Sequence, residues 1–123
     1  MRILLDTHVL IWWDEGARLH ADADRAIRDA DQVYVSAVSG WEIAIKASLG
    51  RLRPKRTVAQ AVEQSGFEEL PVRFEHAEAL GRLPWHHRDP FDRMLAAQAQ
   101  VEGLTLVTRD PAFRRYRMRL VRA

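Results

Sequence analysis

The stretch "FDRMLAAQAQVEGLTLVTRD", residues 91–110, changes its period halfway along. Phe91, Met94, Leu95 and Ala99 recur at helical spacing, and Gly103 ends the run. "LTLVT" (104–108) follows at once, a β-rich apolar run too short for a helix and suited to a buried strand. A helix delivered directly into a buried strand is half of the unit from which parallel sheets are built.

The same alternation extends in both directions. "RILLD" (2–6) reads as a buried strand, and "THVLIWWDE" as a helix with Val9, Trp12 and Trp13 on one face. "ADADRAIRDA" (21–30) is a charged helix with Ala26 and Ile27 inward, and "QVYVS" (32–36) an alternating β-branched strand. "SGWEIAIKASLGRL" is a helix with Trp41, Ile45 and Leu49 as its inward stripe and Gly50 as its stop. "TVAQAVEQS" (57–65) is a helix stopped by Gly66, "FEEL" (67–70) a short strand, and "FEHAEALGRL" (74–83) a helix ending before Pro84. After the opening stretch, "PAFRRY" is a helical turn and "MRLVR" (118–122) a last strand. Regular alternation of strand and helix predicts a three-layer α/β/α domain around a central, mostly parallel sheet. No linker or repeat divides the chain, so residues 1–123 are expected to form one domain.

Composition narrows the class. With 123 residues, 47% of them hydrophobic and 29% charged, the chain is long enough to bury a core without covalent staples. There is no cysteine, which excludes disulfides and thiolate metal sites. The longest apolar run, in "VLIWW", is too short to cross a bilayer, and "MRILLD" lacks the pattern of a secretion signal; a cytoplasmic protein is expected. The formal charge is only +2, but 17 of the 19 basic residues are Arg, leaving Lys46 and Lys55. Guanidinium forks suit phosphate oxygens, although such a composition also arises from genomic base bias.

In open parallel sheets, ligands bind at the carboxyl ends of the strands. Four acidic positions fall there from distant parts of the chain: Asp6, Glu42, Asp92 and Asp110. Each has an ordinary structural reading. Asp6 suits a helix N-cap, Glu42 an i,i+4 pair with Lys46, and Asp110, before Pro111, a helix start. In "RDPFDR", Asp89 suits the N-cap and Pro90 the first helical position; Asp92 then falls at N3, where a carboxylate favours the helix dipole. Together, however, four converging carboxylates would repel one another unless a divalent cation balances them. Oxygen ligation without cysteine points to Mg²⁺ or Mn²⁺. Acids for metal beside arginines for phosphate suit phosphodiester hydrolysis by a metal-activated water.

These blocks resemble the PIN-domain nucleases, and among them the VapC-type toxins of toxin–antitoxin modules. "LLDTHVLIWW" is similar to that family's first strand and helix, "VSAVSGWEIAIKASLGRL" to its second block and "LPWHHRDPFDRMLAAQAQVEGLTLVTRD" to its third. The resemblance makes Asp6, Glu42, Asp92 and Asp110 the metal-holding acids. It implies a Mg²⁺- or Mn²⁺-dependent endoribonuclease that cuts RNA, a small antitoxin partner that binds DNA, and a homodimer.

Around the acids, Thr7, Thr108, Ser36 and Ser39 are candidates to orient water or phosphate. Asp89 supports the site as a cap; Arg93 and Arg109 flank acids and are candidates to meet phosphate or balance the acids, with surface solvation the favoured reading for each. His86 and His87 just precede the acid pair and are candidate metal ligands, but loop packing or RNA contact is the favoured role, since imidazole is not the preferred ligand of Mg²⁺. His8 is expected to face the adjoining helix, and the four Trp to be mostly core, with Trp12 or Trp13 a candidate interface residue. Two other classes compete. A receiver-like phospho-acceptor domain needs paired acids after its first strand and a late Lys; here Thr7 follows Asp6, and no Lys follows position 55. A catalytically silent scaffold would keep the same acids as structural groups.

Overall fold

The computed structural model describes all of residues 1–123. Five strands, β1 (Arg2–Leu5), β2 (Gln32–Ser36), β3 (Glu68–Leu70), β4 (Thr105–Thr108) and β5 (Leu120–Arg122), form one sheet in the order β3-β2-β1-β4-β5. Every neighbouring pair is parallel. The chain moves outward from β1 through β2 to β3, then returns to the other side of β1 with β4 and β5. The strand order therefore reverses between β1 and β4, and a crevice opens there at the carboxyl edge.

Six helices cover the two faces: α1 (Thr7–Asp14), α2 (Ala21–Asp29), α3 (Ala37–Ser48), α4 (Val58–Gln64), α5 (Phe74–Arg82) and α6 (Pro90–Glu102). Alternation along β1 decides the layers. Ile3 and Leu5 pack with Val9 of α1, Ile27 of α2 and Ile43 of α3. Leu4 points the other way, to Leu95 and Ala99 of α6 and to Phe113 in the 3-10 turn Pro111–Arg115. The sheet is thus a shared wall between two apolar cores, which is the expected three-layer arrangement, with a fully parallel sheet.

Local chemistry sets the helix ends. Asp89 accepts the backbone N–H groups of Phe91 and Asp92 at 2.8 and 3.2 Å, with Pro90 in the first turn, as the sequence predicted. Gly103 closes α6 at φ 66°, a left-handed conformation that a residue with a Cβ rarely adopts. Thr57 and Gln60 form a reciprocal capping box at the start of α4.

Several packing expectations are overturned. On α3, Trp41 (62% exposed), Ile45 and Leu49 face outward, and Val38, Ser39, Glu42 and Ile43 face inward. The helix carries apolar residues on both sides, and spacing alone does not say which side meets the sheet. On α1, Leu10 is buried with Val9, whereas Trp12 and Trp13 are only half-buried. On α2, Ile27 is buried and Ala26 packs partly buried against the core as expected, and Ala23 is buried as well. Trp85 is also exposed, so the tryptophans are not mostly core. No helix is long and apolar enough to cross a membrane.

Candidate functional site

At the end of β1, Asp6 occupies the N-cap position of α1 but caps nothing: its side chain makes no capping hydrogen bond. It turns instead toward β4, where Thr108 donates its hydroxyl to Asp6 Oδ2 at 2.7 Å. The same Thr108 oxygen accepts the backbone N–H of Asp110 at 3.0 Å. Asp6 is 5% exposed, and its other oxygen, Oδ1, has no partner. Burial pushes its carboxyl above the usual range, against the opposing pull of the Thr108 hydrogen bond.

Glu42 reaches the same edge from α3 and is also 5% exposed. Lys46, one turn on, holds Oε2 at 2.8 Å, so the i,i+4 pairing is present. Oε1 is buried without a partner. Thr7 and Ser39 share a hydrogen bond of 2.8 Å that pins the start of α1 to α3 between the two acids. Their hydroxyls are engaged with each other. Ser36 caps α3 through the N–H of Val38 and donates to Gln98, farther inside.

Asp92 completes the inner group from the first turn of α6. Burial and then the nearby charge of Asp6 raise its carboxyl to about 7, with Asp89 and Glu42 adding to the repulsion. Three of the four predicted acids therefore sense one another at one point on the sheet edge. Asp92 does not close a capping box, because the Asp89 N–H goes to His87 Nδ1.

Asp110 stands farther out. Its Oδ1 accepts the N–H of Ala112 at 2.9 Å, so it caps the 3-10 turn as well as facing the site. Burial would raise its carboxyl, but the Ala112 amide and His87 outweigh burial and hold it below the usual range.

His87 is the residue that sequence reasoning assigned elsewhere. Its Nε2 lies 3.0 Å from Asp92 Oδ2 and 2.8 Å from Asp110 Oδ2. Because Nδ1 accepts the Asp89 amide at 3.2 Å, Nε2 is the nitrogen that hydrogen-bonds Asp110, with Asp92 Oδ2 beside it. The ligand atoms of His87, Asp92 and Asp110 lie within 4.8 Å of one another, and Asp6 and Glu42 do not join that trio. The only sequence signal was its place just before two aspartates. His8 also departs from expectation: it is exposed at the mouth of the site, close enough to favour the ionised forms of Asp6 and Asp110.

Arg93 is a correction. It neither meets solvent nor faces the acids; it is 3% exposed. Its guanidinium donates to the carbonyls of Pro84, Leu80 and Leu83 at 2.9, 3.2 and 3.3 Å. It thereby gathers the turn between α5 and α6. Arg109 likewise is committed, donating to the Ala123 carbonyl and lying over Trp12. A second cluster, Glu75, His76 and Glu102, offers no vacancy at its histidine: His76 Nδ1 accepts the Arg73 N–H and Nε2 faces Glu102.

What the geometry can do follows from charge. Two buried oxygens without hydrogen-bond partners, beside a carboxyl raised by its neighbours, form a set of carboxylate donors whose charge Lys46 balances only in part. Such a donor set fits a hard divalent cation.

The PIN domain family model matches residues 3–118. Ribonuclease VapC22 of Mycobacterium tuberculosis is 32% identical, over 94% of this chain and 92% of its own. Among solved structures, VapBC2 from Rickettsia felis bound to a DNA fragment from its promoter superposes with a TM-score of 0.75 at 16% identity. DNA-bound VapBC from Salmonella typhimurium gives 0.75 at 22% identity, and both superpositions cover 99% of this chain and 98% of theirs. At such identities these two likenesses speak for the fold. The family match over nearly the whole length and the relative at 32% identity carry the assignment: the chain belongs to the PIN-domain family, in its VapC group.

Proposed function

We propose that residues 1–123 form a single PIN domain acting as a divalent-metal-dependent endoribonuclease, the toxin of a toxin–antitoxin pair. One observation carries the metal-dependent reading: Asp6 Oδ1 and Glu42 Oε1 are both buried without a partner on the edge that Asp92 also faces. In an apolar surrounding an unpaired carboxylate oxygen is costly, and a cation removes the cost. Asp6, Glu42 and Asp92, with Asp110 at the rim, would hold Mg²⁺ or Mn²⁺. When bound, such an ion supplies a water of lowered pKa and offsets charge on the leaving oxygen.

The chain's own residues then have distinct tasks. Thr108 orients Asp6 by donating to one oxygen, which leaves the other free for the ion. Lys46 does the same for Glu42. His87 hydrogen-bonds Asp110 and sets the same ring nitrogen against Asp92. Asp89 caps α6 and thereby fixes the turn that carries Asp92.

The RNA substrate, the antitoxin and a homodimer in the cytoplasm are carried over from the family. The outward stripe Trp41, Ile45 and Leu49 on α3 supports a protein partner, since single-sided apolar stripes in water mark interaction surfaces. Incubation of the purified protein with RNA in Mg²⁺ or Mn²⁺ tests the reading. Cleavage is expected, with loss on chelation and in both Asp6→Asn and Asp92→Asn variants that keep wild-type circular dichroism. Full cleavage by either variant would overturn the site.

A further inference from the structure

We propose that the groove between α5, the turn at residues 84–86 and the segment 115–117 binds single-stranded RNA beside the acidic edge. The proposal rests on the ribonuclease reading above and names the surface that would hold the strand.

The first observation is segregated charge. Residues 111–123 contain five Arg and no acid, in a chain whose net charge is only +2. Arg82, Arg115 and Arg117 are exposed, and none lies in an ion pair, in contrast to Arg25, Arg28 and Arg56, which each meet an aspartate. These three arginines and His86 line the groove over Leu83 and Tyr116, and no acidic side chain lines it. Unpaired guanidinium groups converging on one concavity suit a phosphate backbone.

The second observation is an aromatic platform. Trp85 is 77% exposed, yet its ring is not loose: the Arg93 guanidinium lies 3.9 Å from its centroid. Arg93 is itself fixed by three carbonyls, so the indole is held in place from beneath with its outer face open. An open indole fixed over Arg93, between Pro84 and His86 of the groove's rim, is a stacking surface for an unpaired base, and stacking tolerates any sequence. A paired base in a duplex cannot offer its face in this way.

The third observation is position. The consecutive residues His86 and His87 diverge: His86 lines the groove, and His87 reaches Asp92 and Asp110. Tyr116 joins the two sides, packing edge-on against His86 at 5.1 Å and accepting the His87 N–H at 3.0 Å. The groove therefore opens at the turn that carries His87 and runs from there past Gln100 and Val101 along α6, so a strand leaving it at His86 meets the acidic edge.

Anisotropy titration of a short mixed-sequence oligoribonucleotide, in EDTA so that nothing is cleaved, tests this on the full chain. Trp85→Ala and the double variant R115A/R117A should each weaken binding about tenfold. The double variant should also flatten the slope of log affinity against log salt by about 1.4, for two lost phosphate contacts. Trp85→Phe, which keeps a ring over Arg93, should retain most of the affinity; in Mn²⁺ the double variant should raise KM and leave kcat unchanged. Unchanged binding in both Trp85→Ala and the double variant overturns the proposal, as does equal affinity for the same RNA annealed into a duplex. Variants that split a dimer while binding RNA normally would make the groove an interface between copies and overturn it too. A wild-type protein that binds RNA through this groove but never cleaves it would sink the ribonuclease reading alone.

Discussion

Thr108 donates its hydroxyl to Asp6 across the carboxyl ends of two adjacent strands, from 102 residues away in the chain. The bond aims Asp6 by occupying one of its two oxygens, and the oxygen left over is buried and unpartnered. Thr108→Val keeps the shape and removes the donor. It also strands the Asp110 N–H that the same hydroxyl accepts. The expected cost is about 1–3 kcal/mol in urea unfolding, together with weaker Mn²⁺ binding by calorimetry. Unaltered Mn²⁺ affinity would show that the hydroxyl does not orient the carboxylate.

Asp92 makes metal-free stability depend on pH. Its carboxyl is raised from 3.8 to about 7 in the folded protein, so the folded state holds its proton over that window and the unfolded state does not. The stabilisation from that proton is complete below about pH 4 and is lost as pH rises through about 7. Thermal melts of the metal-free protein should therefore fall between pH 6 and pH 8, and Asp92→Asn should flatten that fall. Added Mn²⁺ should restore the wild type at pH 8, since the ion takes the place of the proton.

Asp89 and Asp92 sit three positions apart and should separate by their readouts. Asp89 satisfies two backbone N–H groups, so Asp89→Ala should cost on the order of 1 kcal/mol of stability and only part of the cleavage rate. Asp92→Ala should abolish cleavage without unfolding the protein. Equal loss of activity from the two would place Asp89 against the metal.

Arg93 should behave as a structural residue, with no direct part in phosphate binding. Arg93→Met leaves the Leu83 carbonyl without a donor and takes one of two donors from the Leu80 and Pro84 carbonyls, which keep the Leu83 N–H and the Tyr116 hydroxyl. A loss of about 2–4 kcal/mol is expected from chemical denaturation. A stable variant with reduced RNA affinity alone would return Arg93 to the phosphate-facing role.

His87 can be dissected by two replacements. His87→Asn keeps an acceptor near the place of Nδ1 for the Asp89 amide but loses the Nε2 contact to Asp110 and Asp92. His87→Gln extends a donor toward the carboxylates instead. Mn²⁺ affinity should drop in the first and largely survive in the second, with the two melting temperatures close together.

How far the sequence carried the reading depends on where each interaction leaves a mark. Apolar runs ending on acids at Asp6 and Asp110 placed the strands and their carboxyl ends, because strand burial is written in composition. On α3 the stripe expected inward, Trp41, Ile45 and Leu49, faces solvent, and Val38 and Ile43 hold the side on which Glu42 is buried. Two apolar stripes on one helix give two solutions, and only the sheet's position chooses. Arg93 was misplaced because its partners are backbone carbonyls, which every residue has and no sequence displays. His87 was undervalued because its contact to Asp110 spans 23 residues and depends on the path of β4.

The reversal of strand order between β1 and β4 has a temporal side. β1 is made first, but its β4 neighbour and Thr108 arrive only after most of the chain has been synthesised. Until then Asp6 has neither its donor nor half of the wall around it, and pairing across so long a loop comes late in folding. A partly translated chain thus holds the first acid and the second without the edge that unites them. Whatever the finished molecule does at that edge, an unfinished one on the ribosome cannot do it.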